Sequence, residues 1–126
     1  MYLFREAIKA ESGFYEMLSP MLGNRAVADE VGIPLWVDDA KRYFVAECEA
    51  EFCGLLTLNR AIISDCYVMP KHRRNGILSS LLMAATLKRQ RYRATCTTMS
   101  LGAFEKQGFL VTNTTVNFTM VEKKYA

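Results

Sequence analysis

The sequence is poor in the residues that bind metals, cross-link chains or interrupt structure. Among 126 residues there are one histidine, four cysteines, three prolines and one tryptophan. Cys48, Cys53, Cys66 and Cys96 form no Cys-x-x-Cys pair, and three of them fall in apolar, strand-like runs. Reduced, buried thiols are therefore expected, and neither a metal site nor a disulfide framework. No apolar run approaches 18 residues, so no transmembrane helix and no membrane partner are expected. The opening segment Met1–Glu6 lacks the uninterrupted apolar stretch of a signal peptide, which fits a cytoplasmic protein. Repeats, linkers and low-complexity segments are absent, so residues 1–126 read as one domain with a single sizeable core. Acidic residues are scarce in the second half. Residues 61–126 carry ten Lys/Arg against three Asp/Glu, a balance of +7, whereas residues 1–60 carry six against ten, a balance of −4; the sum is the net +3. Such a split suits a polyanionic ligand on one side and a cationic one on the other, and is equally compatible with ordinary surface variation.

What is present is concentrated between Asp65 and Gln90. Ala61–Val68 is an apolar, partly β-branched run of strand length that Met69-Pro70 stops. A basic loop follows, Lys71-His72-Arg73-Arg74-Asn75-Gly76. Ile77, Leu78, Leu81, Leu82, Ala85 and Leu87 then recur at helical spacing, predicting a helix that runs through Lys88-Arg89. A loop that enters a helix N-terminus straight after a strand is an anion site, because the first-turn amides have no intrahelical acceptor and the helix dipole is positive there. Gly76 permits close backbone approach, and Arg73 and Arg74 add donors suited to phosphate.

Val68-Met69-Pro70 followed by Arg73-Arg74-Asn75-Gly76-Ile77-Leu78 resembles the acetyl-CoA-binding segment of the GNAT N-acetyltransferase superfamily, V-x-P and then Q/R-x-x-G-x-G/A at the head of a long helix. Leu78 departs from the small residue usual at the last position, but still supplies the backbone amide that the motif uses. Ala103-Phe104-Glu105-Lys106-Gln107-Gly108-Phe109 is similar to a second motif of the family, A-x-Y-x-x-x-GF. The resemblance implies an α/β (α+β) fold: a mixed, mostly antiparallel sheet of six to seven strands flanked by about four helices. It implies acetyl-CoA as co-substrate, a primary amine as acceptor, and acetyl transfer by direct attack. By the same resemblance the fourth strand bulges and splays from the fifth, and Cys66, Val68 and Met69 give backbone contacts to the pantetheine arm. Arg73, Arg74, Asn75, Gly76, Ile77, Leu78 and Ser79 cradle the pyrophosphate. Phe104 joins the cofactor contacts, at a place where the family often has a tyrosine as general acid. Phenylalanine cannot donate a proton, so the candidate catalytic residues are Ser100, one helical turn earlier, and Asp65 as a base. Strand parity places Asp65 opposite to Ser64 and Cys66, which gives it a structural reading as well.

The rest of the chain is consistent with such a fold. Tyr2–Phe4 with Ala7-Ile8 reads as a short first strand. Ser12–Leu22 has a helical pattern that Pro20 interrupts, and Asn24 is an N-cap for a helix over Arg25–Val31 that Gly32 would end. Leu35–Asp39 reads as a loop in which Trp36 either lines a groove or anchors the loop. Tyr43–Cys48 and Phe52–Leu58 are strands joined by a polar hairpin, forming an antiparallel meander with the 61–68 strand. Beyond the long helix come a strand at Ala94–Thr98, a short helix capped by Ser100 and ended by Gly108-Phe109, and a last alternating strand, Val116–Val121. Two other functions stay open beside the enzyme. One is an acyl-CoA-binding or protein-interaction module with weak or no turnover. The other is a basic nucleic-acid-binding protein using Lys71, Lys88, Arg89, Arg91 and Arg93, which no aromatic series accompanies. A homodimer is left open.

Overall fold

The computed structural model describes residues 1–22, 24–31, 37–116 and 118–124. Its elements run β1 (Tyr2–Ala7), α1 (Phe14–Leu18), α2 (Arg25–Val31), β2 (Arg42–Cys48), β3 (Glu51–Asn59), β4 (Ile62–Val68), a 3₁₀ turn (Pro70–His72), α3 (Ile77–Ala85), β5 (Tyr92–Cys96), α4 (Thr98–Lys106), β6 (Leu110–Thr114) and β7 (Thr119–Lys123). One seven-stranded sheet holds the strands in the order β1-β2-β3-β4-β5-β7-β6. All neighbours are antiparallel except β4 and β5. The expected mostly antiparallel sheet and its four helices are both present.

Both faces of the sheet are covered, and this explains why Phe52–Leu58 is apolar almost without interruption. Phe44, Leu56, Leu58 and Ile63 pack under α3 and α4 with Ile77, Leu81, Phe104 and Phe109. Tyr43, Val45, Phe52, Leu55 and Tyr67 meet Phe14 and Leu18 of α1 and Val27 of α2 on the other face. Gly54 lets α3 close on the sheet: a Cβ there would lie 3.0 Å from the Tyr67 carbonyl and 3.2 Å from Ile77 Cγ2. In the β2–β3 hairpin Glu49 and Ala50 both have positive φ, 52° and 64°. That backbone usually selects Asn-Gly, because an L side chain is strained there.

Several limits differ from the sequence expectation. The first helix stops at Leu18, because Pro20 cannot continue it. Asn24 does cap α2, with Oδ1 accepting from the Val27 amide at 3.2 Å. The expected Gly32 stop and Trp36 lie outside the described residues. α3 ends at Ala85 and not at Arg89, where Thr86 leaves helical geometry and its hydroxyl donates to the Leu82 carbonyl at 2.7 Å. Leu87, counted in the helical stripe, is exposed. β5 lies two residues earlier than expected, over Tyr92–Cys96. Ser100 is the third residue of α4 rather than its cap, its amide donating to the Thr97 carbonyl. The C-terminal end of α4 is as expected. The Phe109 amide donates to Phe104, the Gly108 amide donates to Glu105, and Gly108 has φ +87°. This is a Schellman stop, and its hydrophobic contact is the T-shaped pair Phe104–Phe109 at 5.1 Å. The final strand is Thr119–Lys123, and β6 was not legible, since its five residues are all exposed and carry no alternation.

Candidate functional site

A bulge in β4 creates the site. Leu55 pairs with Tyr67 and Thr57 with Ser64, so β4 spends one residue more than β3 over that step, and Asp65 takes φ +54°. The extra residue breaks the expected parity. Ser64 and Asp65 both reach the Thr57 hydroxyl, at 2.9 and 2.7 Å, so they share a side of the sheet instead of opposing each other. β4 and β5 pair only at Ile62↔Arg93 and Ile63↔Ala94. Beyond Ile63 they part, and the β5-facing edge of β4 runs along a cleft of about 680 Å³.

Cys66 and Val68 lie on one wall of that cleft, and the loop residues His72, Arg73, Arg74 and Gly76 with Ile77, Leu78 and Ser79 of α3 line the next. The loop turns its carbonyls inward. Asn75 Nδ2 donates to the carbonyls of His72 and Arg73, at 3.0 and 3.2 Å, and Arg73 Nε donates to that of Val68 at 2.9 Å. Arg74 and Gly76 both hold left-handed backbone, with φ +66° and +71°. The first i→i−4 bond of α3 runs from Ser80 to Gly76, so the Ile77, Leu78 and Ser79 amides have no intrahelical acceptor. The outcome is a run of amides at a helix N-terminus with Arg74 beside it, a fit for a phosphate-bearing ligand.

The far wall comes from α4, through Thr97, Ser100, Gly102, Ala103 and Lys106. Lys106, Thr97 and Ala103 were missed from the sequence, although Ser100, Ala103 and Lys106 recur close to helical spacing. Ser100 Oγ donates to the Thr97 carbonyl at 3.2 Å. Burial pushes the Cys66 thiol far up, so it stands in the wall as a neutral thiol. Burial also raises the Cys96 thiol.

Four expected site residues do not reach the cleft wall. Met69 has both backbone groups committed, its amide to the Cys53 carbonyl at 2.7 Å and its carbonyl to the His72 amide at 2.9 Å. Its side chain packs with the α1–α2 core. Asn75 acts within the loop, as above. Phe104 is fully buried against Phe109. Asp65 is buried on the α1–α2 side, where Oδ2 takes Lys41 Nζ at 2.9 Å with the Thr57 hydroxyl, while Oδ1 is buried without a partner among the described residues. Nothing in the sequence linked Lys41 to Asp65. The acidic residues of the first half are largely engaged elsewhere: Glu47 with Arg5, Asp39 with Lys9 and Glu51 with Lys71.

Residues 11–109 match the family model of the acetyltransferase (GNAT) family. No curated protein matches significantly. Solved structures share the fold at low identity. The GNAT-family acetyltransferase of Streptococcus pneumoniae has a TM-score of 0.73 at 16% identity, covering 100% of both chains. Campylobacter jejuni PseH, an N-acetyltransferase solved in complex with acetyl coenzyme A, has a TM-score of 0.64 at 14% identity, covering 100% of both. The spermidine/spermine N-acetyltransferase SpeG of Vibrio cholerae has a TM-score of 0.62 at 15% identity, covering 98% of this chain and 94% of that one.

Proposed function

The chain belongs to the GNAT acetyltransferase family, and from that premise we propose that it transfers the acetyl group of acetyl-CoA to a primary amine by direct attack. The observation that carries this reading is the freed edge of β4 meeting, in one cleft, the unbonded amides at the head of α3. Acetyl-CoA supplies an activated acyl carbonyl and a thiol leaving group. The amides of Gly76, Ile77, Leu78 and Ser79, with the Arg74 guanidinium, hold the pyrophosphate, and Lys106 adds positive charge on the opposite wall. Arg73 braces the loop from behind through the Val68 carbonyl and the Tyr67 ring, 5.5 Å from its guanidinium. Cys66 and Val68 offer main-chain groups to the extended arm, as an edge strand offers them to an added one.

Ser100 is the proton donor of this proposal, since it lines the cleft and Phe104 has no hydroxyl: its O–H turns from the Thr97 carbonyl to the leaving sulfur and regains its proton from the attacking nitrogen. The demand on it is small, because alkyl thiols leave with pKa values of roughly 8 to 9. Asp65 lies outside the cleft, bonded to the hydroxyls of Thr57 and Ser64, so its role is to position the bulge rather than to touch the amine. PseH was solved with acetyl coenzyme A, and SpeG is named for two polyamines; both support the reading by sharing this fold. The burial of Phe104 favours a second reading, an acyl-CoA-binding module without turnover. Thiol release from acetyl-CoA over a panel of primary amines separates the two. Gly76→Asp, which sets a carboxylate and a strained left-handed residue against the phosphates, should weaken acetyl-CoA binding at least tenfold in calorimetry. Undiminished binding by the folded variant refutes the cradle.

A further inference from the structure

A second cleft, of about 430 Å³, lies at the other end of α3. It forms where the β3–β4 turn meets the connection from α3 to β5. Its floor is apolar and buried, made by Leu58, Ala85 and Tyr92. Leu87 stands on the rim with 79% of its surface exposed, the apolar side chain that left the expected helical stripe. Among the described residues three cations line the cleft and no carboxylate does. Arg42 is already neutralised, its guanidinium gripping Glu6 through two 2.8 Å bonds and lying over the Phe44 ring. Arg60 and Lys88 have no ion-pair partner among the described residues. The carbonyls at this helix end would oppose an anion, but that of Leu82 is occupied by the amide and hydroxyl of Thr86, and in the connection beyond the helix the Lys88 carbonyl accepts from the Tyr92 hydroxyl at 2.8 Å.

We propose that this cleft binds a small organic anion, a carboxylate or phosphate monoester on an apolar body, with the charged group between Arg60 and Lys88 and the body on Leu58, Ala85 and Leu87. An apolar floor with a few convergent polar groups is the usual form of a small-molecule site, and two unpaired cations on one rim set the sign of the ligand. On α3 the two clefts come no nearer than Ser79 and Ala84, five residues or about 7–8 Å of helix apart, and they share no lining residue, so the two ligands do not compete. The inference stands apart from the proposed acetyl transfer, because none of these residues lines the first cleft.

The test is an amide-resolved NMR titration with phenyl phosphate and with benzoate. Inorganic phosphate and benzylamine serve as controls for a bare anion and for the opposite charge. Saturable shifts at Arg60, Leu87 and Lys88 with both aromatic anions, retained in saturating acetyl-CoA and absent with both controls, are expected. Arg60→Asn with Lys88→Gln should weaken both anions about tenfold or more, and Arg60→Lys with Lys88→Arg should restore them. Asparagine tolerates the left-handed backbone of residue 60, φ +58°, so the neutral variant should keep its fold, read from its unchanged spectrum elsewhere. The proposal is overturned by no saturable shift at these amides, by equal shifts with inorganic phosphate, by displacement with acetyl-CoA, or by undiminished affinity in the neutral variant.

Discussion

Lys41→Met is the perturbation that most directly tests the reading of the β4 bulge. The Asp65 side chain is 1% exposed and that of Lys41 12%, with Nζ 2.9 Å from Oδ2. Methionine keeps the apolar stem and removes the charge. Among the described residues the carboxylate then keeps, in a buried pocket, the Thr57 hydroxyl and a long, 3.5 Å contact to Ser64. Removing one partner of a buried ion pair costs about 3–5 kcal/mol, against about 0–1 kcal/mol for an exposed one. For a chain of this size each kcal/mol shifts Tm by roughly 3–5 °C, so the variant should melt about 10–20 °C lower. Asp65→Asn made in the same chain removes the stranded charge, tolerates the left-handed backbone at φ +54°, and should recover much of that loss. The pair of variants is read by calorimetric melting at neutral pH with urea unfolding as a check. A loss below about 1 kcal/mol in the single variant, or a double variant no more stable than it, would refute the account of a desolvated pair holding the bulge.

The remaining expectations are smaller. Phe104→Tyr buries a new hydroxyl beside Phe109 and should cost roughly 1–3 kcal/mol; a higher kcat in steady-state thiol release, with Tm unchanged, would show instead that the ring edge reaches the cleft. Replacing Glu49-Ala50 by Asn-Gly removes left-handed strain from the β2–β3 turn and should raise stability by about 1 kcal/mol, seen as a higher urea midpoint. The Arg42 guanidinium holds the Glu6 carboxyl below its usual value, Arg5 with the Ile8 amide does so for Glu11, and Lys71 for Glu51. Carboxyls lowered in the folded state contribute stability that is present above their unfolded pKa and lost as pH falls through the folded one. Tm should thus stay level from neutral pH to about 5 and then decline, and Glu6→Gln with Glu51→Gln should make the acid decline shallower. Cys66, a neutral thiol in the cleft wall, should alkylate slowly at neutral pH, and acetyl-CoA should slow it further; rapid labelling by mass spectrometry would contradict its burial.

Local chemistry explains which features could be read in advance. The Ile77–Ala85 helix, the meander of β2, β3 and β4, the Asn24 cap and the Gly108-Phe109 stop each depend on contacts within a few residues, so periodicity and cap residues reveal them. The turn that opens α3 was legible for the same reason, since a helix N-terminus after Arg-Arg-Asn-Gly needs no distant partner. β6 stayed hidden because a strand exposed on both faces has no pattern to show. The end of α3 and the start of α4 shifted because the Thr86 hydroxyl turns back to the Leu82 carbonyl and the main-chain carbonyl of Thr97 accepts the first bonds of α4.

The sequence by itself determined the sheet's central strands, the basic turn at the head of α3 and the motifs that mark the family. Only the tertiary structure decided which side Asp65 takes, because one extra residue in β4 reverses parity and the register of Leu55 and Thr57 against it sets where that residue goes. It also decided that Met69 and Phe104 leave the cleft wall while Lys106 joins it, and that Lys41 answers Asp65 from 24 residues away. Periodicity carries the phase of a single element, whereas a bulge, a splay and a buried ion pair are properties of two elements meeting, and nothing within either one encodes them alone.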